Sequence, residues 1–313
     1  MSGAAVAAGA EVFSHPALLY SDGADYLAGT VPFVLDGLAA GDPVAVAVPP
    51  PNLQLLEAEL GSVANRVQLL DMSQAGRNPG RIIAEVLLAA AEPHPDAHVR
   101  IIGEPIWPGR TAHEYPACLQ HEALINEAFR GRRVTILCPY DAARLDPAVL
   151  ADAERTHPVL LEGGRSRASG RYSVEDAIAR ANQPFPDPPH TAEVFAFDAP
   201  RLSAARKHAT AEALRAGVDD GRIDDVTLAI GELAANSIRH GGGRGTLRVW
   251  TEDGLLVGEV SDAGRLTDPL AGRRRARLAQ LGGRGLLIVH HVADLVRTHT
   301  GPDGTTTRIY FRL

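Results

Sequence analysis

The sequence GELAANSIRHGGG, residues 231–243, decides how the C-terminal part of this chain is interpreted. On a helix Glu232, Asn236 and His240 follow one another at intervals of four residues, so their side chains lie along one stripe. A carboxylate and a carboxamide one turn apart offer oxygen ligands to Mg²⁺, which binds few protein oxygens and keeps waters and phosphates as its other ligands. Taken alone, the segment also fits a solvated helix face that ends in a glycine cap.

Two further clusters follow in the sequence. Ser261-Asp262-Ala263-Gly264 comes directly after a predicted strand, where Asp262 can accept a hydrogen bond from an exocyclic amine such as that of adenine. Gly264 lets the backbone approach a ring closely. Gly282-Gly283-Arg284-Gly285-Leu286 opens a predicted helix, whose free N–H groups suit phosphates. Each cluster is a weak signal by itself, because Asp-x-Gly is a common turn and a single G-x-G is frequent.

In this order, the three clusters resemble the N, G1 and G2 boxes of the GHKL ATPases and kinases. Gly304-Thr305-Thr306-Thr307 resembles the Gly-Thr-Thr that closes such domains. The resemblance covers residues 193–313 and implies an α+β GHKL (Bergerat) sandwich with ATP and Mg²⁺ as cofactors. The binding residues that it implies are Asn236 for Mg²⁺, Asp262 for the adenine amino group, Gly264 for the ring, Gly283, Arg284 and Gly285 for the lid and phosphates, and Thr306 for a water-mediated adenine contact.

Within that superfamily the domain resembles the anti-sigma-factor serine kinases, because its lid, about residues 265–281, is compact and Glu232 precedes Asn236 by one turn. The resemblance implies that Glu232 takes the proton from a target serine hydroxyl. Arg284 and the lid arginines would neutralise the transferring phosphoryl group. One position departs from the pattern: Leu266 stands where the G1 box usually has a second glycine. We therefore expect a lid that is less mobile or closes differently.

The N-terminal part alternates between short apolar runs and amphipathic stretches. The pattern predicts strands at 17–20, 44–48, 67–70, 99–102, 134–138 and 159–161, and helices at 25–40, 52–60, 81–91, 114–130 and 147–154. Strands that alternate with helices predict an α/β fold with a parallel sheet, which binds ligands at the carboxyl ends of its strands. The P-loop pattern G-x-x-x-x-G-K-[ST] is absent from the sequence, which argues against a working P-loop NTPase.

Four stretches of this part, FSHPALLY, GEPIW, HEALINEAF and CPYD, resemble the MEDS sensory domain of DcmR-like and anti-sigma-type regulators. This likeness spans roughly residues 13–177 and implies a RecA-like α/β sensor for a small-molecule ligand. Polar residues at plausible strand ends or on the nearby helix are the sensory candidates, namely His15, Glu104, Arg110, His121, Glu122 and Cys138. Cys118 and His121 could be two metal ligands on one helix, but no further Cys/His pair lies nearby in the sequence. A core role is the preferred interpretation of Cys138.

Residues 183–190, QPFPDPPH, hold four prolines and predict a stiff linker. The predicted organisation is a flexible leader at 1–12, a sensory domain at 13–182, the linker at 183–192 and the ATP-binding domain at 193–313. In the last domain we predict strands at 193–198, 246–251, 255–261, 295–300 and 305–312 and helices at 202–216, 223–240 and 286–292. A hairpin turn at Glu252-Asp253-Gly254 would join two of the strands.

Bulk properties limit the class of function. The net charge of −7 argues against direct DNA binding, and the absence of a long apolar run argues against a membrane span. Two cysteines fit a reducing cytoplasm. The resemblances imply a cytoplasmic regulator that phosphorylates an anti-anti-sigma (STAS-type) partner, sequesters a sigma factor and forms a homodimer. The alternative is a partner-switching scaffold that binds nucleotide without catalysis, or binds none; Glu232 favours the kinase and Leu266 favours the scaffold.

Overall fold

The computed structural model describes residues 13–274 and 283–313. The predicted leader at 1–12, the lid residues 275–281 and Gly282 of the third cluster lie outside these ranges. Over the two described ranges, no helix combines the length and the apolar composition that crossing a lipid bilayer requires.

The N-terminal domain is a mostly parallel sheet with helices packed on it. Its strands are β1 (Phe13–Ser14), β2 (Pro16–Tyr20), β3 (Val44–Val48), β4 (Gln68–Asp71), β5 (Val99–Gly103), β6 (Val134–Asp141), β7 (Val159–Glu162) and β8 (Arg165–Ala168). Its helices are α1 (Gly23–Ala40), α2 (Pro50–Leu60), α3 (Met72–Ala75), α4 (Pro79–Ile82), α5 (Leu88–Ala91), α6 (Tyr115–Ala128), α7 (Pro147–Thr156) and α8 (Val174–Ala181).

The strand order is β4-β3-β5-β6-β2-β7-β8, with β1 also paired to β6. Every pair is parallel except β7 with β8. The α/β class predicted from the alternating pattern is therefore confirmed. Strand β8 was not predicted from the sequence, because all of its residues are exposed and carry no apolar signal. The hairpin that joins β7 to β8 has its turn at Gly163 and Gly164, and both residues have the positive φ that glycine adopts readily.

The helix predicted at 81–91 is not a single regular α-helix. A π-helical segment, Ile83–Leu87, separates α4 from α5. Its buried side chains, Ile83, Val86 and Leu87, pack into the core of the N-terminal domain. The π-helical segment is only five residues long, which is too short for the apolar pattern to distinguish it from an α-helix.

The C-terminal domain is an α+β sandwich. Its strands are β9 (Glu193–Asp198), β10 (Arg244–Glu252), β11 (Leu255–Asp262), β12 (Leu295–Gly301) and β13 (Gly304–Arg312), and its helices are α9 (Leu202–Ala216), α10 (Ile223–His240) and α11 (Gly285–Val292). The antiparallel strand order is β12-β13-β11-β10-β9. The helices pack on one face over a core that includes Ile230, Leu233 and Val260. The predicted sandwich is confirmed, and the β10–β11 hairpin turns at Asp253 and Gly254, both at positive φ.

The opposite face of this sheet is covered by the N-terminal domain. Ala117 of α6 packs against the buried side chains of Trp250, Val257 and Tyr310. The 183–192 segment is held on the same face, because Arg308 donates to the carbonyl of Pro186 at 2.5 Å and pairs with Glu259 at 2.7 Å. The two domains are thus joined by a buried apolar contact as well as by the chain itself.

Candidate functional site

A cavity of about 610 Å³ lies between the helices and the sheet of the C-terminal domain. It is bounded by the C-terminal half of α10, the end of β11, the strands β12 and β13, the segment 265–274 and the start of α11. The lining residues used below are Asn236, Arg239, Asp262, Gly264, Arg265, Leu266, Leu270, Arg274, Gly283, Gly285, Thr298, Thr305 and Thr307. Residues from all three sequence clusters therefore meet at one cavity.

Asp262 is fixed at the base of this cavity by two hydrogen bonds. Ser237 Oγ donates to Asp262 Oδ2 at 2.6 Å, and the backbone N–H of Gly264 donates to Asp262 Oδ1 at 2.8 Å. A carboxylate oxygen can accept more than one hydrogen bond, so Asp262 keeps acceptor capacity toward the cavity. The arrangement suits recognition of a donor such as an exocyclic amine.

Two glycines allow α10 and the end of β11 to approach one another. A Cβ on Gly241 would lie 2.3 Å from Cγ of Asp262, and a Cβ on Gly264 would lie 2.4 Å from the carbonyl oxygen of His240. Both contacts are shorter than any side chain tolerates. Glycine is therefore required at these positions to place Asp262 beside the helix that carries Asn236.

Threonines of β12 and β13 hold the segment that follows Gly264. Thr305 Oγ1 donates to the carbonyl of Gly264 at 2.8 Å. The backbone N–H of Leu266, the residue that departs from the usual G1 pattern, donates to Thr300 Oγ1 at 3.2 Å and to Thr305 Oγ1 at 3.3 Å. The start of the lid is therefore tied to the sheet.

The structure does not bring Thr306 to the cavity. Alternate residues of a strand face opposite sides of the sheet, and Thr305 and Thr307 are the residues of β13 that line the cavity. Thr306 lies on the same face of the sheet as Tyr310, which is the face that packs against the N-terminal domain. The water-mediated adenine contact that the resemblance implies for Thr306 stays a prediction, and this residue is not among those that line the cavity.

The start of α11 forms the far end of the cavity. Gly283 and Gly285 line it, whereas Arg284 is exposed and is not among the lining residues. Glu232 lies beside this helix start, since a Cβ on Gly285 would be 2.5 Å from Glu232 Oε2. The free N–H groups of a helix N-terminus favour an anion at this end. Arg239 and Arg274 also line the cavity, and sequence reasoning had not singled out Arg239.

One lid arginine points away from the cavity into the N-terminal domain. Arg273 is buried, and its Nη2 donates to Oε1 of Gln120 on α6 at 2.5 Å. Burial lowers the pKa of Arg273 to about 10. Leu270, three residues earlier, belongs to the apolar core of the N-terminal domain. The lid segment that lines the cavity is thus also part of the domain contact.

Three of the sensory candidates come together in the N-terminal core. His15, Glu122 and Cys138 lie in one buried cluster, and a fourth residue, His157, joins them. Burial, together with the neighbouring His157, lowers the pKa of His15 to about 4. Sequence reasoning missed His157 because it stands alone between α7 and β7, without any spacing that relates it to the other three.

Glu104 forms a separate polar group at the carboxyl end of β5. Its carboxyl accepts hydrogen bonds from the Tyr20 hydroxyl at 3.1 Å and from Asn52 Nδ2 at 2.8 Å. Burial raises the pKa of Glu104 to about 8, against the opposing effect of these two donors. This edge of a parallel sheet is where ligands usually bind.

The last two candidates have other surroundings. Arg110 donates to the carbonyls of Gly76, Arg77 and Pro105, so it holds the backbone around it together. His121 is buried on α6, where desolvation lowers its pKa to about 3. Its Nδ1 has no hydrogen-bond partner in the described parts of the chain. Cys118 is buried as well, and burial raises the pKa of its thiol to about 11.

With this geometry in place, comparisons with known proteins define the two domains. Residues 14–158 match the family model described as MEDS, the MEthanogen/methylotroph, DcmR Sensory domain. Residues 195–311 match the model of the Histidine kinase-like ATPase domain. The chain therefore carries an N-terminal MEDS domain and a C-terminal histidine kinase-like ATPase domain, as the sequence motifs predicted.

Among solved structures, the chain is similar to the RsbU and RsbW domains of Rv1364c from Mycobacterium tuberculosis, with 21% sequence identity and a TM-score of 0.31. The match covers 40% of this chain and 33% of that chain, so it spans about a third of the similar structure. A search of curated proteins finds no match.

The raised pKa of Glu104 predicts a specific dependence of stability on pH. In the unfolded chain this carboxyl titrates near 4.5, whereas the folded protein holds its proton up to about pH 8. The stabilisation that protonated Glu104 provides at low pH is therefore lost as the pH rises from the first value to the second. We expect the free energy of unfolding of the wild type, relative to Glu104→Gln, to fall across this range in denaturant titrations. Glu57→Gln, at an exposed position of α2, is the control, and a pH-independent difference for Glu104→Gln would contradict the assignment.

Proposed function

We propose that this protein is a Mg²⁺–ATP-dependent serine/threonine protein kinase that phosphorylates a STAS-type anti-anti-sigma partner, sequesters a sigma factor and is controlled by its MEDS domain. The observation that supports the proposal is that Asn236 and Asp262 line one cavity of a histidine kinase-like ATPase domain, with Glu232 beside Gly285 at its edge. The three residues would supply an acceptor for the adenine amine, an oxygen ligand for Mg²⁺ and a base for the target hydroxyl.

Asp262 supports adenine binding, because its carboxylate is fixed by Ser237 and by the backbone of Gly264. Asn236, on the cavity side of α10, offers an amide oxygen to Mg²⁺. The phosphates would extend from there toward the N-terminus of α11, where the free N–H groups favour negative charge. ATP supplies the γ-phosphoryl group, and the protein contributes positioning and electrostatic stabilisation.

Glu232 is the proposed base. Its carboxylate lies beside Gly285, at the phosphate end of the cavity. As the target hydroxyl oxygen forms its bond to the γ-phosphorus, the bond from that phosphorus to the β,γ-bridging oxygen breaks and ADP leaves. Glu232 accepts the hydroxyl proton, and Arg239 and Arg274 stabilise the transferring charge.

A second function, a partner-switching scaffold without turnover, is favoured by one observation. Leu266 replaces a glycine of the G1 pattern, and its N–H is tied to Thr300 and Thr305. A lid that is fixed at its start has less freedom to close over bound nucleotide. A scaffold would bind the same partners as the kinase, but it would transfer no phosphate to them.

Phosphate transfer to a serine-bearing STAS-type protein from the same cell, followed with labelled ATP, tests the kinase proposal. We expect Glu232→Gln to slow transfer by about a hundredfold or more, because it removes the base, while ATP affinity is retained. Glu193→Gln, at an exposed position far from the cavity, should transfer normally. Normal transfer by Glu232→Gln would show that the base assignment is wrong. ATP binding by the wild type without transfer would support the scaffold.

Control by the MEDS domain is supported by contacts between that domain and the nucleotide cavity. Arg273 and Leu270 of the lid segment are buried against the N-terminal domain. Their neighbours in sequence, Ala271 and Gly272, line the cavity. A change in the position of α6 would therefore reach the lid through Gln120, without any further element between them.

Helix α11, whose first residues line the cavity, also contacts the N-terminal domain. On α11, the carbonyl of His290 accepts a hydrogen bond from Asn78 Nδ2 at 2.8 Å, and His291 Nδ1 lies 2.8 Å from Glu85 Oε1. Gly80 packs so closely on the His290 ring that a Cβ there would lie 2.0 Å from Nδ1. Both the lid and the helix at the phosphate end are thus held by the MEDS domain.

Removing the hydrogen bond between Gln120 and Arg273 tests whether the MEDS domain influences nucleotide binding. We expect Gln120→Ala to raise the dissociation constant of Mg²⁺–ATP by about three- to tenfold, because Arg273 loses its acceptor and the lid segment its anchor. Calorimetric titration of the full-length protein measures the change. Gln54→Ala, at an exposed position of α2, is the matched control. An unchanged affinity in a folded Gln120→Ala variant would show that this contact does not govern nucleotide binding.

A further inference from the structure

Two imidazoles, a carboxylate and a thiol converge in the core of the MEDS domain. They are far apart in the sequence: His15 precedes β2, Glu122 lies on α6, Cys138 lies in β6, and His157 precedes β7. All four are buried. One ligand atom from each, that is, two imidazole nitrogens, a carboxylate oxygen and a sulfur, lies within 4.8 Å of the other three.

Three of the six distances between these atoms are close to those of a tetrahedral metal site. His15 Nε2 lies 3.3 Å from Cys138 Sγ and 3.4 Å from Glu122 Oε2, and His157 Nε2 lies 3.1 Å from the same oxygen. Metal–ligand bonds of about 2.0–2.3 Å in a tetrahedron separate the ligand atoms by roughly 3.3–3.8 Å. The four atoms therefore need only small shifts to surround one ion.

The outer hydrogen bonds of both histidines direct their Nε2 atoms inward. His157 Nδ1 lies 2.9 Å from the carbonyl oxygen of Ala153, which can only accept, so this nitrogen carries the proton. His15 Nδ1 lies 3.3 Å from Asn126 Oδ1, and the Asn126 amide donates to the carbonyl of Thr156. An outer partner that fixes the tautomer in this way is the usual companion of a metal-binding histidine.

With both rings protonated on Nδ1, acceptor atoms face one another at the centre of the cluster. In the neutral ring, Nε2 of His157 carries a lone pair that faces a lone pair of Glu122 Oε2. His157 Nε2 lies 3.1 Å and His15 Nε2 lies 3.4 Å from Glu122 Oε2, so this carboxylate is satisfied only by a proton on one of the two rings or by a cation among the three atoms. Buried acceptors that face each other repel unless a cation separates them or a proton joins them, and an unpaired buried charge is costly.

We propose that His15, Glu122, Cys138 and His157 bind one Zn²⁺ ion in a closed tetrahedral site. Zinc is favoured by the mixture of one sulfur, two imidazoles and one carboxylate, and by four protein ligands in a buried position. Binding releases the Cys138 thiol proton to solvent, and the thiolate and the carboxylate together balance the charge of the ion. The site is separate from the nucleotide cavity, and it fixes α6 through Glu122.

Metal analysis of the full-length, tag-free protein tests the proposal. We expect one equivalent of Zn²⁺ per chain, removed by a strong chelator under mild denaturation and restored by Zn²⁺. Loading with Co²⁺ in place of zinc should give the intense visible absorption of tetrahedral cobalt together with a thiolate charge-transfer band. Failure of the wild-type protein to take up either ion stoichiometrically would overturn the proposal and leave a buried, protonated His157–Glu122 pair.

The two cysteines provide a matched pair of variants. Cys138→Ser should lose the thiolate band and weaken Co²⁺ binding by more than about tenfold, since even the loss of an outer partner costs that much. Cys118→Ser, at an equally buried position four residues before Glu122 on α6, should keep the thiolate band and the wild-type affinity for Co²⁺. Circular dichroism establishes that each variant is folded. A thiolate band that survives in Cys138→Ser would contradict the assigned ligand set.

Discussion

Helix α6 is buried between the two domains, and much of the molecule depends on that burial. Its inner face contributes Leu124 and Ile125 to the core of the MEDS domain. Its outer face places Ala117 on Trp250 and Tyr310 of the ATPase sheet. A two-layer sandwich leaves one face of its sheet without helices, and large aromatic side chains there would be exposed to water. The contact with α6 removes this surface from solvent, so each domain completes the other.

The same helix carries polar groups toward two separate sites. Gln120 holds Arg273 of the lid segment, whereas Glu122 points to His15 and His157 in the opposite direction. Residues two positions apart on a helix face different sides, which allows one helix to serve both sites. A displacement of α6 caused by events in the MEDS core would therefore alter the wall of the nucleotide cavity.

The sequence could predict the features that follow from local pattern. Both fold classes, the hairpin at Asp253 and Gly254, and the meeting of Asn236, Asp262 and Gly285 at one cavity follow from periodicity, turn chemistry and motif order. Features that depend on tertiary packing could not be predicted in this way. His157 joins its cluster only through folding, and Arg273 shows its role only when α6 is docked. The motif around Thr306 identifies a strand, but which of its side chains face the cavity, here Thr305 and Thr307, depends on the strand's orientation in the folded sheet.

The central claim is that the cavity of the C-terminal domain binds Mg²⁺–ATP through Asp262. Calorimetric titration of Mg²⁺–ATP into the full-length protein, beside the Asp262→Asn variant, tests it most directly. The account predicts saturable binding of one nucleotide per chain, which is lost in the variant because an amide N–H₂ would face the adenine amine. Absence of binding by the wild type at cellular ATP concentrations, or equal binding by both proteins, would contradict it.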